Sequence, residues 1–412
     1  MMVSLVPPSN DYLNPILRKQ VETLKASVQL EPTTPETLLS RGKLLWEWAN
    51  SFSLTGVALP VECSFFMTSV FVGSIAGEFS VLKRDPFISS KDLDQMIEEL
   101  SLKEEHFGTL GNLSLTTSPA MVVNSVQTFH QVFSVGTLSL LQGGGLLIAR
   151  NGFVDHGIPQ HENPSAENYV TVQTSRAGAT FRASSLDMRG LRGGIRAPIP
   201  VLFFELEGAD LVTGDTVTVT YGDTSMGSPG FRVQSTSTDG FKLPIYVDFL
   251  GNKNFLTFES PGFEVVGGPA HSAHGFVPAV AGIGQTFELV LRTEDLARNR
   301  ATGAIPGYEI FLNDELIAQI PPGRNAITKI DGLSIHIEGT YRFKIISTEG
   351  VVCFSDPVWI KKNIENHIYW GDLHGHCEFA DGQGSPDAYF QFGRDDARLD
   401  FLCLSEHDVF LD

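Results

Sequence analysis

The chain has 412 residues, 42% of them hydrophobic, with 48 acidic against 29 basic side chains and a formal charge of −19. That length exceeds one ordinary core and calls for several domains, and that hydrophobic content excludes a disordered chain. The acidic balance repels phosphate backbones and so excludes general nucleic-acid binding; a phosphorylated substrate stays compatible with it where bound cations supply the positive field.

Cys63, Cys353, Cys377 and Cys403 are scattered, with no CxxC spacing. No disulfide framework is expected, and the pattern fits a reducing compartment. The opening "MMVSLVPPSNDYLNPIL" has neither a basic start nor an apolar run before its prolines, so it does not read as a signal peptide. In residues 107–149, Ser, Thr, Asn, Gln and Gly interrupt every apolar run, short of the roughly 20 apolar residues of a membrane helix. A soluble, cytoplasmic protein with no membrane partner is the expectation.

Residues 1–105 read as a helical N-terminal region. Ile16, Val21, Leu24 and Val28 follow helical spacing, Thr34-Pro35-Glu36 makes a capped start for a second helix, and "SSKDLDQMIEELSL" is a third with Ser90 at its N-cap. Residues 106–262 switch to period two. "LVTGDTVTVTYGD" alternates Val with Thr and ends in a Gly-Asp turn, and "NYVTVQTS", "VLFFELEG", "FRVQSTST" and "PIYVDFLG" are further strands separated by turn formers. An antiparallel β domain is predicted there.

"VVGGPAHSAHGFVP" reads as a linker into a second β domain over 263–362. "QTFELVLRTED", "YEIFLNDELIAQI" with a turn at Asn313-Asp314, and "GTYRFKIISTEGVVCFSDPVWI" give the short, regularly spaced strands of an immunoglobulin-like sandwich. His271 and His274 in the linker are read as solvated loop residues; as a metal pair they lack an acidic companion. Most of the 29 phenylalanines are expected in sandwich cores, not on an exposed aromatic binding face.

Residues 363–412 change pattern again. "HIYWGDLHGH" reads as a strand, "SPDAYFQFGRDDARL" as a helix with Ser385 at the N-cap and Pro386 at N1, and "DFLCLSEHD" as a strand buried on both faces. Strand–helix–strand opens a parallel α/β fold. A complete β/α barrel takes about 250 residues, so the chain reads as truncated within it. The predicted architecture is therefore multidomain and mainly β, with a helical lead-in and the first βαβ unit of a barrel.

His374 and His376 are two apart, so on a strand both imidazoles face one side and can reach one metal or two adjacent ones. Asp381 follows in a turn, and His407 sits past the second strand between Glu406 and Asp408. Strand ends of a parallel sheet converge on one rim, which predicts a His374/His376/Asp381/His407 set. Mixed nitrogen and oxygen donors suit Zn, Mn or Fe. Cys377 is expected to point away as a small buried filler.

"GDLHGH…ADG…LSEHD" resembles the first two motifs of the PHP superfamily, the polymerase and histidinol phosphatase-like metal-dependent hydrolases. The form "YWGDLHGHCEFADGQGSPDAYFQFGRDDARLDFLCLSEHD" is similar to the family of domain of unknown function 3604 (DUF3604), as are "ENYVTVQTS" and "LVTGDTVTVTYGDTSMGSPGFRVQ" upstream. The resemblance covers roughly 160–412. It implies a distorted β/α barrel, two or three divalent ions in the complete domain, and metal-assisted hydrolysis of a small-molecule phosphoester, with another ester or an amide as alternatives. It also implies His374, His376, Asp381 and His407 as ligands, Glu406 and Asp408 beside the ligands or facing substrate, and Asp372 orienting a ligand imidazole. The superfamily's remaining ligands have no counterpart before residue 412, so this chain alone is expected to be inactive. The alternative is a β-sandwich binding module for carbohydrate or protein; oligomeric state is left open.

Overall fold

A computed structural model describes residues 110–116, 120–149, 154–188, 199–251, 255–258, 261–379 and 382–406. The helices expected over 1–105 lie outside these residues. Within them the protein is mainly β, in two mostly antiparallel units followed by one short parallel βαβ unit.

In the first unit a four-stranded sheet runs in the order Gly111–Leu115, Phe129–Val135, Thr216–Tyr221, Val170–Thr174. A five-stranded sheet runs Phe255–Thr257, Ile245–Asp248, Gly145–Ile148, Ile199–Glu207, Thr180–Met188. The alternation read from "TVTVTY" is what builds the interior, because Val217, Val219 and Tyr221 all point inward and are buried. They join Phe129 and Phe133 from the same sheet and Leu146, Ile148, Leu202, Phe204 and Val247 from the other in one cluster. Phe129 stacks on Tyr221 with ring centroids 4.6 Å apart and meets Phe263 edge-on at 4.9 Å. Each such buried side chain contributes roughly 1.5–3 kcal/mol. The apolar run around "VLFFELE" has a second cause. Val201 and Phe203 pack with Leu147 and Tyr246 on the opposite face of the five-stranded sheet, so it is buried on both sides.

Phe263–Val266 lies parallel to Ala120–Val122 and antiparallel to Thr238–Phe241, and Phe263 and Val265 belong to the first core. The first unit therefore extends beyond the expected division at 262. Of "FRVQSTST", Phe231–Arg232 forms one short strand and Thr238 begins the next, with Val233–Ser237 outside either ladder.

The second unit comprises three sheets: Ser272–Phe276, Phe287–Glu294 and Ile327–Leu333; Val280–Gly282, Val358–Lys361 and Gly339–Tyr341; and Glu315–Ile320, Tyr308–Leu312, Lys344–Ser347 and Val352–Phe354. Leu289, Leu291, Ile310, Phe343, Ile345, Val358 and Ile360 fill its core. The hairpin turn is where the sequence placed it. Asn313 and Asp314 take φ of 49° and 66°, the left-handed pair that a two-residue type I′ turn demands. His271 lies just before the strand Ser272–Phe276 and is exposed, in keeping with the loop reading; His274 departs from that reading, lying on the strand with its ring 3.0 Å from the carboxylate of Asp356. That acidic companion sits 82 residues away in sequence, out of reach of any local pattern.

The third unit pairs Gly371–Asp372 in parallel with Phe401–Leu402, joined through the helix Pro386–Gln391 and a π-helical turn Phe392–Asp396. Ser385 caps the helix as expected, its Oγ accepting the Ala388 N–H at 3.1 Å with Pro386 behind it. The strands are shorter than predicted, and Phe401 is 46% exposed instead of buried. Of the expected β/α barrel, the described residues contain this one unit.

Candidate metal centre

His374 and His376 follow the first parallel strand; they are not on it. Asp372 ends that strand, and its Oδ1 accepts the His374 backbone N–H at 3.0 Å, turning the chain. Asp372 thus orients the loop backbone, in place of the imidazole contact the resemblance implied. The histidines nonetheless converge. Their Nε2 atoms stand 3.2 Å apart, with ring planes crossed at 82°.

The segment just past the second strand locks this loop. Cys403 N–H donates to Asp372 O at 3.0 Å, and Ser405 N–H donates to Gly375 O at 2.9 Å. Any side chain at Gly375 would collide with the Tyr389 hydroxyl, which itself donates to Cys403 O at 3.2 Å. Glycine between the two histidines is therefore a steric requirement of helix packing.

Glu406 lies on the inner side. Its Oε1 accepts the Cys377 N–H at 2.6 Å, and its Oε2 faces His376 Nδ1 at 3.6 Å. The two side chains are 18% and 11% exposed, and Oε2 has no hydrogen-bond partner among the described residues. Cys377 is fully buried, matching the filler reading. Burial, followed by its contact with Glu406, pushes the thiol pKa up, so it stays protonated. Burial likewise raises the Tyr389 hydroxyl, with Asp372, Cys403 and Glu406 adding to the effect.

The donor geometry fits a divalent cation. Two imidazole nitrogens on one tetrahedral zinc at about 2.0–2.1 Å stand about 3.3 Å from each other, close to the separation seen here. A carboxylate aimed at the far nitrogen of a ligand histidine is the usual device that fixes its ring and tautomer. Asp381, His407 and Asp408 lie outside the described residues. Among the described residues, no group of three His, Cys, Asp or Glu side chains forms a ligand set.

A separate cleft of about 820 Å³ opens between the second β unit and the segment leading into the histidines. Phe276, Phe287, Trp359, Tyr369, Trp370 and Arg398 line it, and Tyr369 and Trp370 are each 65% exposed. Among the described residues, no helix is long and apolar enough to cross a membrane.

No family model matches the chain. It is 25% identical over 226 residues to uncharacterized proteins of Chlamydia trachomatis serovar D and Chlamydia muridarum, the match covering 51% of this chain and 35% of each relative. The matched region thus spans about a third of the length of these relatives. Among solved structures, Yersinia pseudotuberculosis InvD aligns at 10% identity and a TM-score of 0.25, over 65% of this chain and 61% of that one. A likeness that slight adds nothing to the fold derived above.

Proposed function

We propose that residues 363–412 belong to a metal-dependent hydrolase domain of the PHP type, with a small-molecule phosphoester as substrate. The single observation that carries this reading is the 3.2 Å approach of the two Nε2 atoms at the rim of a parallel βαβ unit. His374 and His376 hold the metal. Glu406 stands beside the His376 ring, one of the two places the resemblance implied for it. Asp372 holds the loop backbone, and Asp381, His407 and Asp408 are assigned from their motif positions. Zn, Mn or Fe suits these donors; when bound, such ions supply Lewis-acid activation of water and neutralise charge at the scissile oxygens. The exposed Phe401 supports a larger parallel sheet, because parallel strands are stable when covered on both faces.

The test is metal content after dialysis for the wild type and for the His374→Ala, His376→Ala and His407→Ala variants. Wild-type binding that is lost in the variants supports the assignment; equal stoichiometry in all four removes it.

A second reading is a binding module, favoured by the aromatic cleft. Exposed tryptophans beside polar groups suit stacking on sugar rings or a partner's side chains. Titrating intrinsic tryptophan fluorescence with soluble oligosaccharides, for wild type and Trp359→Ala, checks it. A saturable wild-type response that Trp359→Ala abolishes supports carbohydrate recognition, and no response removes it.

A further inference from the structure

We infer that Asp239 and Lys242, on the first β unit, are positioning residues for the loop that carries His376. The inference rests on the metal reading of that loop.

The strand Thr238–Phe241 pairs with Phe263–Val266, but its register shifts between Thr238 and Phe241. An irregularity of this kind re-aims the side chains that leave the ladder. Here Asp239 is turned onto the helix cap of the third unit. Its Oδ1 accepts the Ser385 N–H at 3.0 Å and its Oδ2 accepts the Ser385 Oγ–H at 2.6 Å. With its proton committed to Asp239, the Ser385 hydroxyl oxygen is oriented to accept from Ala388 N–H. Asp239 therefore acts through Ser385 on the start of the helix.

Lys242 holds the other end of the same loop. Its Nζ lies 2.8 Å from Glu378 Oε2. Glu378 follows Cys377, whose N–H is taken by Glu406, and Glu378 N–H closes the loop on Gly384 O at 2.9 Å. The backbones meet closely at this brace. Gly384 has φ of 76°, and a Cβ there would come within 2.6 Å of Asp239 Oδ1. A half-exposed ion pair adds little stability by itself. Two polar contacts, at Glu378 and at Ser385, instead define where those two residues, and the histidine ahead of them, stand.

The test uses the 412-residue chain with Asp239→Ala, Asp239→Glu and Lys242→Met, read by hydrogen exchange and by Co²⁺ titration followed in the visible spectrum. Asp239→Ala is expected to speed exchange of the amides at 385–389 by roughly fivefold, leaving the Phe129–Val135 strand unchanged. Asp239→Ala and Lys242→Met are expected to weaken Co²⁺ binding by about tenfold or more and to alter the absorption band, and Asp239→Glu to recover part of both effects. Unchanged exchange in Asp239→Ala overturns the brace. Faster exchange with wild-type Co²⁺ affinity and spectrum leaves it merely structural and overturns the positioning role. A wild type that takes up no Co²⁺ overturns the metal reading itself, and the positioning role with it; the exchange result still decides whether the contact holds the loop.

Discussion

His376 stands between two neighbours, with its Nε2 3.2 Å from that of His374 and its Nδ1 3.6 Å from Glu406 Oε2. One nitrogen thus faces the other imidazole and the second a carboxylate. Glu406→Gln keeps the shape and removes the charge. It is expected to lower divalent-metal affinity by about 10–100-fold without abolishing binding, whereas His376→Ala abolishes it. Isothermal titration with Zn²⁺ or Mn²⁺ separates the two outcomes.

The same loop sorts the cysteines. Cys403 is exposed, while Cys377 is buried against Glu406. Iodoacetamide under native conditions should modify Cys403 well before Cys377, and mass spectrometry of tryptic peptides gives the order. Rapid native labelling of Cys377 would contradict the packing described.

Within the first core, the Tyr221 hydroxyl donates to Gln131 Oε1 at 2.6 Å, and Gln131 Nε2 donates to Leu243 O at 3.1 Å. Tyr221→Phe removes the first donor inside a closed interior and is expected to cost about 1–3 kcal/mol. Phe129→Ala empties the ring stack and is expected to cost about 3–5 kcal/mol. Chemical denaturation with an unchanged m-value checks both.

Asp223 supplies a pH dependence. Burial works against its carboxylate, but the Thr171 hydroxyl at 2.6 Å and the Ser225 N–H at 2.9 Å outweigh that and hold its pKa below the usual range. A carboxyl depressed on folding adds stability that is fully present above its unfolded pKa of about 3.9 and is lost as pH falls through the folded value. Asp223→Asn should therefore flatten the fall in melting temperature below about pH 4. An acid limb identical to wild type would refute this.

Arg300 grips Asp396 with Nε at 2.8 Å and Nη2 at 2.5 Å, and Arg292 Nη1 donates to Asp396 O at 2.5 Å. These contacts bind the π-helical turn to the second β unit. A double-mutant cycle on Arg300→Ala and Asp396→Ala is expected to give a coupling of about 0.5–3 kcal/mol, and a coupling near zero would mean the pair holds nothing.

Features set by a few neighbouring residues were legible in the sequence. Alternating Val and Thr defined the Thr216–Tyr221 strand, Asn313-Asp314 the hairpin turn between Tyr308–Leu312 and Glu315–Ile320, and Ser385-Pro386 the helix start, because pleat, φ and capping are local properties. The histidine spacing led to the expectation that the two imidazoles approach each other on one face of a strand; they do approach, but across a loop turned by Asp372. Tertiary structure alone decided the rest. Asp356 reaches His274, Lys242 reaches Glu378, and Asp239 reaches Ser385 across 82, 136 and 146 residues. Such contacts depend on how packed sheets place distant segments, and no local periodicity encodes that distance. The residue types of the proposed metal site were written in one short window; the meeting of His374 and His376 came from the turn that Asp372 makes and from the Ser405 contact to Gly375.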